Sequence, residues 1–286
     1  MILNIEDAEV RGRHGVVPVR IYRPPGGAAE NAAPLVWVHG GAFAWGDLDM
    51  PEAQDVAVAV ARTGREVVSV DYRRVPPFSW VRRLPSGKLS GMRFPIPLDD
   101  VIDVFTWVQA RSAGARTVLG GASAGACLAA AATLRLRDEG QPGPAGLVLA
   151  YGTFHASLPA PSARLASRIR GWHRLGQFTP GVVDKMNRNY AGTAEALQDR
   201  HAFPGGGELG GFPPTLVLDA DRDALGASGE AFAAELAAAG VDVVHERVSG
   251  ARHGFLNRPQ RPHFGLGIRV VTDWLLNRSK TVGADG

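Results

Sequence analysis

The chain has 286 residues, with 31 Lys and Arg against 28 Asp and Glu for a formal charge of +3, 45% hydrophobic residues and one cysteine. That apolar fraction with so small a charge excludes disorder for the bulk of the chain, and a lone cysteine excludes a disulfide framework or a multi-cysteine metal site. No run of about 20 apolar residues occurs, and the first residues lack the basic and long apolar regions of a signal peptide, so a cytoplasmic protein with no membrane partner is expected. In chain order, 7–13 and 16–23 flank His14-Gly15 and predict an antiparallel hairpin. An apolar run at 34–38, closed by His39-Gly40-Gly41, predicts a buried strand. A Gly-ended helix at 51–64 and a strand at 66–70 follow, then a stretch at 76–97 rich in Pro, Gly and Arg without periodicity. Next come a helix at 97–111, a strand at 117–119, a helix at 124–139 and a strand at 146–150. Beyond a long excursion at 152–214, with short helical patterns at 164–174 and 180–190, lie a strand at 215–218, a helix at 226–239, a strand at 241–248 and a helix at 262–278. The polar tail at 279–286 is expected to fray.

Short continuous apolar runs bounded by turns suit strands buried on both faces, and their alternation with helices predicts a mainly parallel sheet in a single domain, 1–286. A structureless loop as long as 152–214 is uncommon, so this segment is expected to be a cap inserted over the strand ends.

Chemistry is concentrated in a few turns. Gly121-Ala122-Ser123-Ala124-Gly125 fits G-x-S-x-G and lies between a predicted strand and a predicted helix. Such a turn holds a serine in strained backbone angles, with glycines removing the clashes on either side. Ser123 is therefore the candidate nucleophile. Upstream, His39-Gly40-Gly41-Ala42-Phe43 closes the earlier strand, where close backbone approach can aim N–H groups at a developing oxyanion. Base and acid must then follow the serine. Of eight histidines, His253 stands just past the last strand, whereas His245 falls inside it and reads as structural. Asp219, Asp221 and Asp223 all follow the strand at 215–218, and position does not choose among them. Cys127, Trp37, Phe105 and Trp107 read as core, and Arg164, Arg168, Arg170 and Arg174 as a solvated face of the cap.

These residues resemble the hormone-sensitive-lipase-like bacterial esterases, over about 17–276. The similarity runs through His39-Gly40-Gly41-Ala42 (HGGG in the family), 67–73 (VVSVDYR), 94–100 (FPAALDD), Ser123 in its elbow (GDSAG), 211–217 (GLPPTLV), Asp223-Ala224-Leu225 (DPL) and His253-Gly254-Phe255 (HGF). The resemblance implies an α/β-hydrolase fold: an eight-stranded, mainly parallel sheet flanked by helices, with a small helical cap. It implies a serine carboxylesterase with Ser123, Asp223 and His253 as triad, the register selecting Asp223. It places the oxyanion donors at the N–H groups of Gly41, Ala42 and Ala124. No cofactor and no metal are expected; the expected partner is a small-molecule ester, and a homodimer is possible.

Departures bear on substrate choice. Ala42 replaces the third glycine of HGGG, Ala122 replaces the aspartate before the nucleophile, the family's helical N-terminal cap is expected to be absent or minimal, and 76–93 is longer than its counterpart. With one wall of a long acyl tunnel missing, short- to medium-chain esters are the expected substrates. Two alternatives share this fold. One is a tailoring hydrolase or acyl transferase acting on one bulky molecule. The other is a non-catalytic binding protein, as in the plant gibberellin receptors, which resemble the family without a working triad. The Arg-rich charge has no dense basic stripe with interleaved aromatics, so nucleic acid is not an expected partner.

Overall fold

The computed structural model describes residues 2–29, 32–77, 91–112, 116–174 and 176–282. Each apolar run becomes a strand: β1 (Asn4–Gly12), β2 (Gly15–Arg23), β3 (Leu35–Val38), β4 (Val67–Val70), β5 (Val118–Ala122), β6 (Leu147–Ala150), β7 (Thr215–Ala220) and β8 (Val243–Val248). They form one eight-stranded sheet in the order β1-β2-β4-β3-β5-β6-β7-β8. The β1–β2 hairpin pairs antiparallel, β2 is antiparallel to β4, and the rest is parallel. β3 to β7 are buried throughout, which is why they read as unbroken apolar stretches. The edge strand β1 is mostly exposed and carries Glu6, Asp7, Glu9 and Arg11, while the opposite edge, β8, carries His245, Glu246 and Arg247.

Helices cover both faces. α1 (Pro51–Ala61) and the last helix, α8 (Pro262–Val282), pack on one, through Val56, Val60, Val271 and Trp274 against Leu35, Trp37 and Leu216. The other is covered by α2 (Ile96–Arg111), α3 (Ala124–Asp138) and α7 (Gly226–Ala238), whose Val101, Phe105, Leu128 and Phe232 join Val36, Val38 and Val217. Successive residues of β3 thus serve opposite cores, the period-two signature of a strand. Prolines at their first turns set the starts of α1 and α2. α3 is buried almost throughout, and its alanines let the helix lie close to the sheet.

The segment between β6 and β7 carries α4 (Ala163–Arg168), a 3-10 turn (Gly171–Arg174), α5 (Pro180–Ala191) and α6 (Ala194–Leu197). Buried Tyr190 of α5 stacks on Phe43 beside the His39 turn, ring centroids 4.0 Å apart.

Three expectations are corrected. α8 continues to Val282, so the first part of the expected frayed tail is helical; residues 283–286 lie outside the described residues. Trp107 is half-buried rather than core: it packs against the margin of the core on α2, with the Arg111 guanidinium, 4.2 Å from its ring centroid, as a further neighbour. Arg168 is not simply solvated: it pairs with Asp221. Most of the long 76–93 stretch, 78–90, lies outside the described residues.

Candidate active site

The order of the sheet reverses between β3 and β5: β4 lies outward of β3, and β6, β7 and β8 continue on the far side of β5. In open parallel sheets the crevice at such a reversal, past the carboxyl ends of the strands, collects functional groups. Val38, the last residue of β3, pairs with Gly121 of β5, so the His39 turn and the Gly121–Gly125 elbow leave the sheet side by side.

The elbow has the expected strain. Ser123 adopts φ 53° and ψ −117° between β5 and α3 and is 6% exposed. A non-glycine residue in this region costs about 1–3 kcal/mol and persists only where its surroundings impose it. They do so here: a side chain at Gly121 would come within 2.6 Å of the Gly125 backbone, and one at Gly125 within 2.6 Å of the Val38 carbonyl carbon. The Ser123 N–H donates to the carbonyl of Ala150 at 2.8 Å, which pins the elbow to β6.

His253 arrives from the loop after β8. Its Nε2 lies 3.1 Å from the Ser123 Oγ, and its Nδ1 lies 2.6 Å from Asp223 Oδ2. The acceptor-only carboxylate places the ring proton on Nδ1, leaving Nε2 free to accept from the serine hydroxyl. Burial pushes the His253 pKa down, but the charge and hydrogen bond of Asp223, with smaller contributions from Glu52 and Asp219, outweigh it and leave it above its ordinary 6.5.

The three aspartates after β7 have three partners. Asp219 is buried and its Oδ2 lies 2.8 Å from His245 Nε2; burial pushes its carboxyl pKa up despite the histidine. Asp221 takes Arg168 of α4 and the Gly250 N–H, and the Arg168 hydrogen bond holds its pKa below the usual range. Asp223, fully buried, turns to His253 and accepts the Leu225 N–H with its other oxygen at 3.1 Å.

The turn after β3 is built on positive φ angles: Gly41 at 106°, Ala42 at 53° and Phe43 at 62°. At Gly41 a side chain would run into the Trp45 carbonyl, so only glycine fits. The Gly40 carbonyl accepts from Tyr72 Oη at 3.1 Å, and the Gly41 carbonyl accepts the Ala44 and Trp45 N–H groups at 3.0 and 2.9 Å. In a trans peptide the N–H points opposite to the C=O, so the Gly41 and Ala42 N–H groups are directed away from these contacts. A Cβ on Gly40 would lie 3.0 Å from that of Ser123, which measures how closely this turn approaches the elbow. Ala124 is the first residue of α3, where backbone N–H groups have no partner within the helix.

Some residues that shape the site carry no motif. Tyr151, just past β6 at φ 37°, sets its ring edge-on to His253 at 5.1 Å between centroids. Phe178, from the segment between β6 and β7, does the same from outside at 4.7 Å. Glu52 of α1 is buried behind the His39 turn. Among the described residues there is no cluster of three or more metal-ligating side chains, and no helix is long and apolar enough to cross a membrane.

A family model described as alpha/beta hydrolase fold matches residues 35–87 and 88–257. Carboxylic ester hydrolase LipN of Mycobacterium tuberculosis is 29% identical over 270 residues, 89% of this chain and 65% of that protein, so the chain spans just under two thirds of its length. Ethyl acetate hydrolase of Pseudomonas putida is 30% identical over 267 residues, 88% of this chain and 76% of that protein. Among solved structures, a hyperthermophilic esterase from the archaeon Pyrobaculum calidifontis superposes with a TM-score of 0.79 at 27% identity, covering 98% of this chain and 86% of that one. The chain belongs to the α/β-hydrolase family, among the hormone-sensitive-lipase-like esterases that its motifs resemble.

Proposed function

We propose that this chain is a serine carboxylesterase that hydrolyses short- to medium-chain esters through Ser123, His253 and Asp223. The observation that carries the reading is the continuous relay at the strained elbow, Ser123 Oγ to His253 Nε2 at 3.1 Å and His253 Nδ1 to Asp223 at 2.6 Å. His253 takes the hydroxyl proton as Ser123 Oγ bonds to the ester carbonyl carbon. Asp223 holds the ring orientation and stabilises the imidazolium. The negative charge developing on the carbonyl oxygen is taken by the N–H groups of Gly41, Ala42 and Ala124, assisted by the N-terminus of α3. Collapse expels the alcohol, which receives the proton from His253. Water then attacks the acyl-enzyme by the same route and releases the acid and free Ser123.

Short acyl chains are favoured by the residues around the elbow. Ala42 brings a methyl group to the oxyanion turn, and Phe178 sets its ring edge-on to His253. A relative at 30% identity is named for the hydrolysis of ethyl acetate. The test is Ser123→Ala against p-nitrophenyl butyrate, with a fluorophosphonate label on both proteins. Loss of turnover by about 10,000-fold or more and loss of labelling, at an unchanged melting temperature, are expected. Turnover within tenfold of the parent would overturn the assignment.

A further inference from the structure

We infer that Glu52 is a positioning residue that ties the turn bearing Gly41 and Ala42 to the loop bearing His253. Glu52 is the second residue of α1 and 1% exposed. Its Oε2 accepts the Gly40 N–H at 2.6 Å, and its Oε1 accepts Tyr151 Oη–H at 2.6 Å and Asn257 Nδ2–H at 2.9 Å. The link to Asn257 is doubled, because the Glu52 N–H donates to Asn257 Oδ1 at 3.1 Å across 205 residues of sequence. The Glu52 carbonyl also accepts from Trp37 Nε1 at 2.8 Å, which fixes the first turn of α1 to β3.

Each of these partners leads to the reacting groups. Gly40 immediately precedes Gly41 and backs onto Ser123. Tyr151 packs edge-on to His253 and, at 5.0 Å between centroids, to Phe255. Asn257 closes the 3-10 turn (Phe255–Asn257) that begins two residues after His253. One carboxylate thus sets the mutual position of three segments that sequence keeps far apart.

The donor inventory explains why a carboxylate is required. Three donors face its two oxygens, and a group with a proton of its own would turn a donor toward a donor. Glutamine in either orientation opposes its NH2 group to Gly40 N–H or to the Asn257 NH2, whose orientation the Glu52 N–H bond to Asn257 Oδ1 fixes; only the Tyr151 hydroxyl can switch to accepting. Among the described residues no cation pairs with Glu52; these hydrogen bonds hold its carboxylate, and its charge acts on what lies nearby. The groups acting on His253 are Asp223 and Asp219 from the β7 side, Glu52 from α1 and Tyr151 from β6. Burial and the neighbouring Glu52 push the Tyr151 pKa well above its ordinary value, so it stays a neutral donor. Glu52 adds to the negative potential that holds the His253 proton.

The inference rests on the proposed Ser123–His253 chemistry, and its test separates the two. Ser123→Ala, Glu52→Gln, Glu52→Asp and Tyr151→Phe are compared with the parent on p-nitrophenyl butyrate. The readouts are kcat, KM, melting temperature and the pH profile of kcat/KM. For Glu52→Gln we expect kcat to fall about 10- to 100-fold, as misplacement on the ångström scale costs, with KM within about threefold. The acidic limb of the profile should move to lower pH, because the imidazole has lost a nearby negative charge. Glu52→Asp keeps the charge and should leave the limb in place while lowering kcat through its shorter reach. Tyr151→Phe removes one donor and should lower kcat with a smaller effect on the limb; it also serves if Glu52→Gln fails to fold. An inactive Ser123→Ala beside a Glu52→Gln with parental kcat and pH profile would overturn the inference alone. So would loss of activity in the Glu52 and Tyr151 variants that follows melting temperature with no change in the limb. An active Ser123→Ala would instead overturn the catalytic reading beneath it.

Discussion

Replacing Asp223 by Asn is a sharp perturbation because the structure dictates how the new amide must sit. Asp223 Oδ1 accepts the Leu225 N–H at 3.1 Å and Oδ2 accepts His253 Nδ1–H at 2.6 Å. An asparagine keeps its oxygen toward Leu225, since only an acceptor fits there, and so turns its NH2 toward the imidazole. Nδ1 must then become the acceptor and the ring proton moves to Nε2. That nitrogen faces the Ser123 Oγ at 3.1 Å and can no longer take its proton. Holding a triad histidine in the wrong tautomer costs about 10,000-fold in kcat, about 5.4 kcal/mol of barrier at 1.36 kcal/mol per decade. The assay is kcat on p-nitrophenyl butyrate for the Asp→Asn variants at 219, 221 and 223, each with its melting temperature. Asp221→Asn loses a pair whose Arg168 side chain is 39% exposed, so stability should change little, and the variant should retain kcat within about threefold. Asp219→Asn should weaken the buried contact to His245 and likewise spare kcat. Near-parental turnover in Asp223→Asn, or an inactive Asp221→Asn, would refute this account of the base.

The pH profile gives an independent check on the same histidine. Activity needs its neutral form, and its pKa lies above 6.5, so kcat/KM should fall on acidification with a midpoint above that value; a rate flat from about pH 8 to about pH 5 would remove the histidine base. In a series from acetyl to palmitoyl esters, rates should rise over the first methylenes, each worth about 0.8 kcal/mol in a fitting pocket, and stop rising early. An optimum at a dodecanoyl or longer ester would contradict the short-chain reading. Gly125→Ala forces a methyl group onto the backbone of Val38 and His39, which cannot yield as a side chain can. It should cost about 1–3 kcal/mol by urea unfolding, and a variant as stable as the parent would show that the elbow can yield to a methyl group.

The core of the sheet is legible in sequence because strands buried on both faces leave unbroken apolar runs, and because glycines punctuate the turns at Gly40, Gly41, Gly121 and Gly125. Legibility ends where a residue's role depends on distant partners. Trp107 looks like core, yet it stays half-buried, with Arg111 a helical turn away against its ring. Residues 194–197 are too short for any period to register and still form α6, capped by the Thr193 side chain. Asp219, Asp221 and Asp223 lie in one short stretch, and the sequence separates them only through family register; direct discrimination requires knowing that Arg168 and His245 already occupy two of them. Glu52 is the least visible. At the start of a helix an acid usually complements the macrodipole on the surface, and nothing local betrays a carboxylate turned inward to Asn257.

The charges along the two margins of the sheet bear on strand addition by another chain. An open strand edge offers unpaired N–H and C=O groups to any neighbour, the usual start of ordered aggregation. β1 bears Glu6 and Asp7, tethered to Arg23 and Arg20, and β8 bears Glu246 and Arg247. A second chain adding a strand at either margin would have to break or desolvate these charges for each residue pair it gained. Neutralising Glu6 and Asp7 would remove both ion pairs and leave the β1 margin without that cost to strand addition.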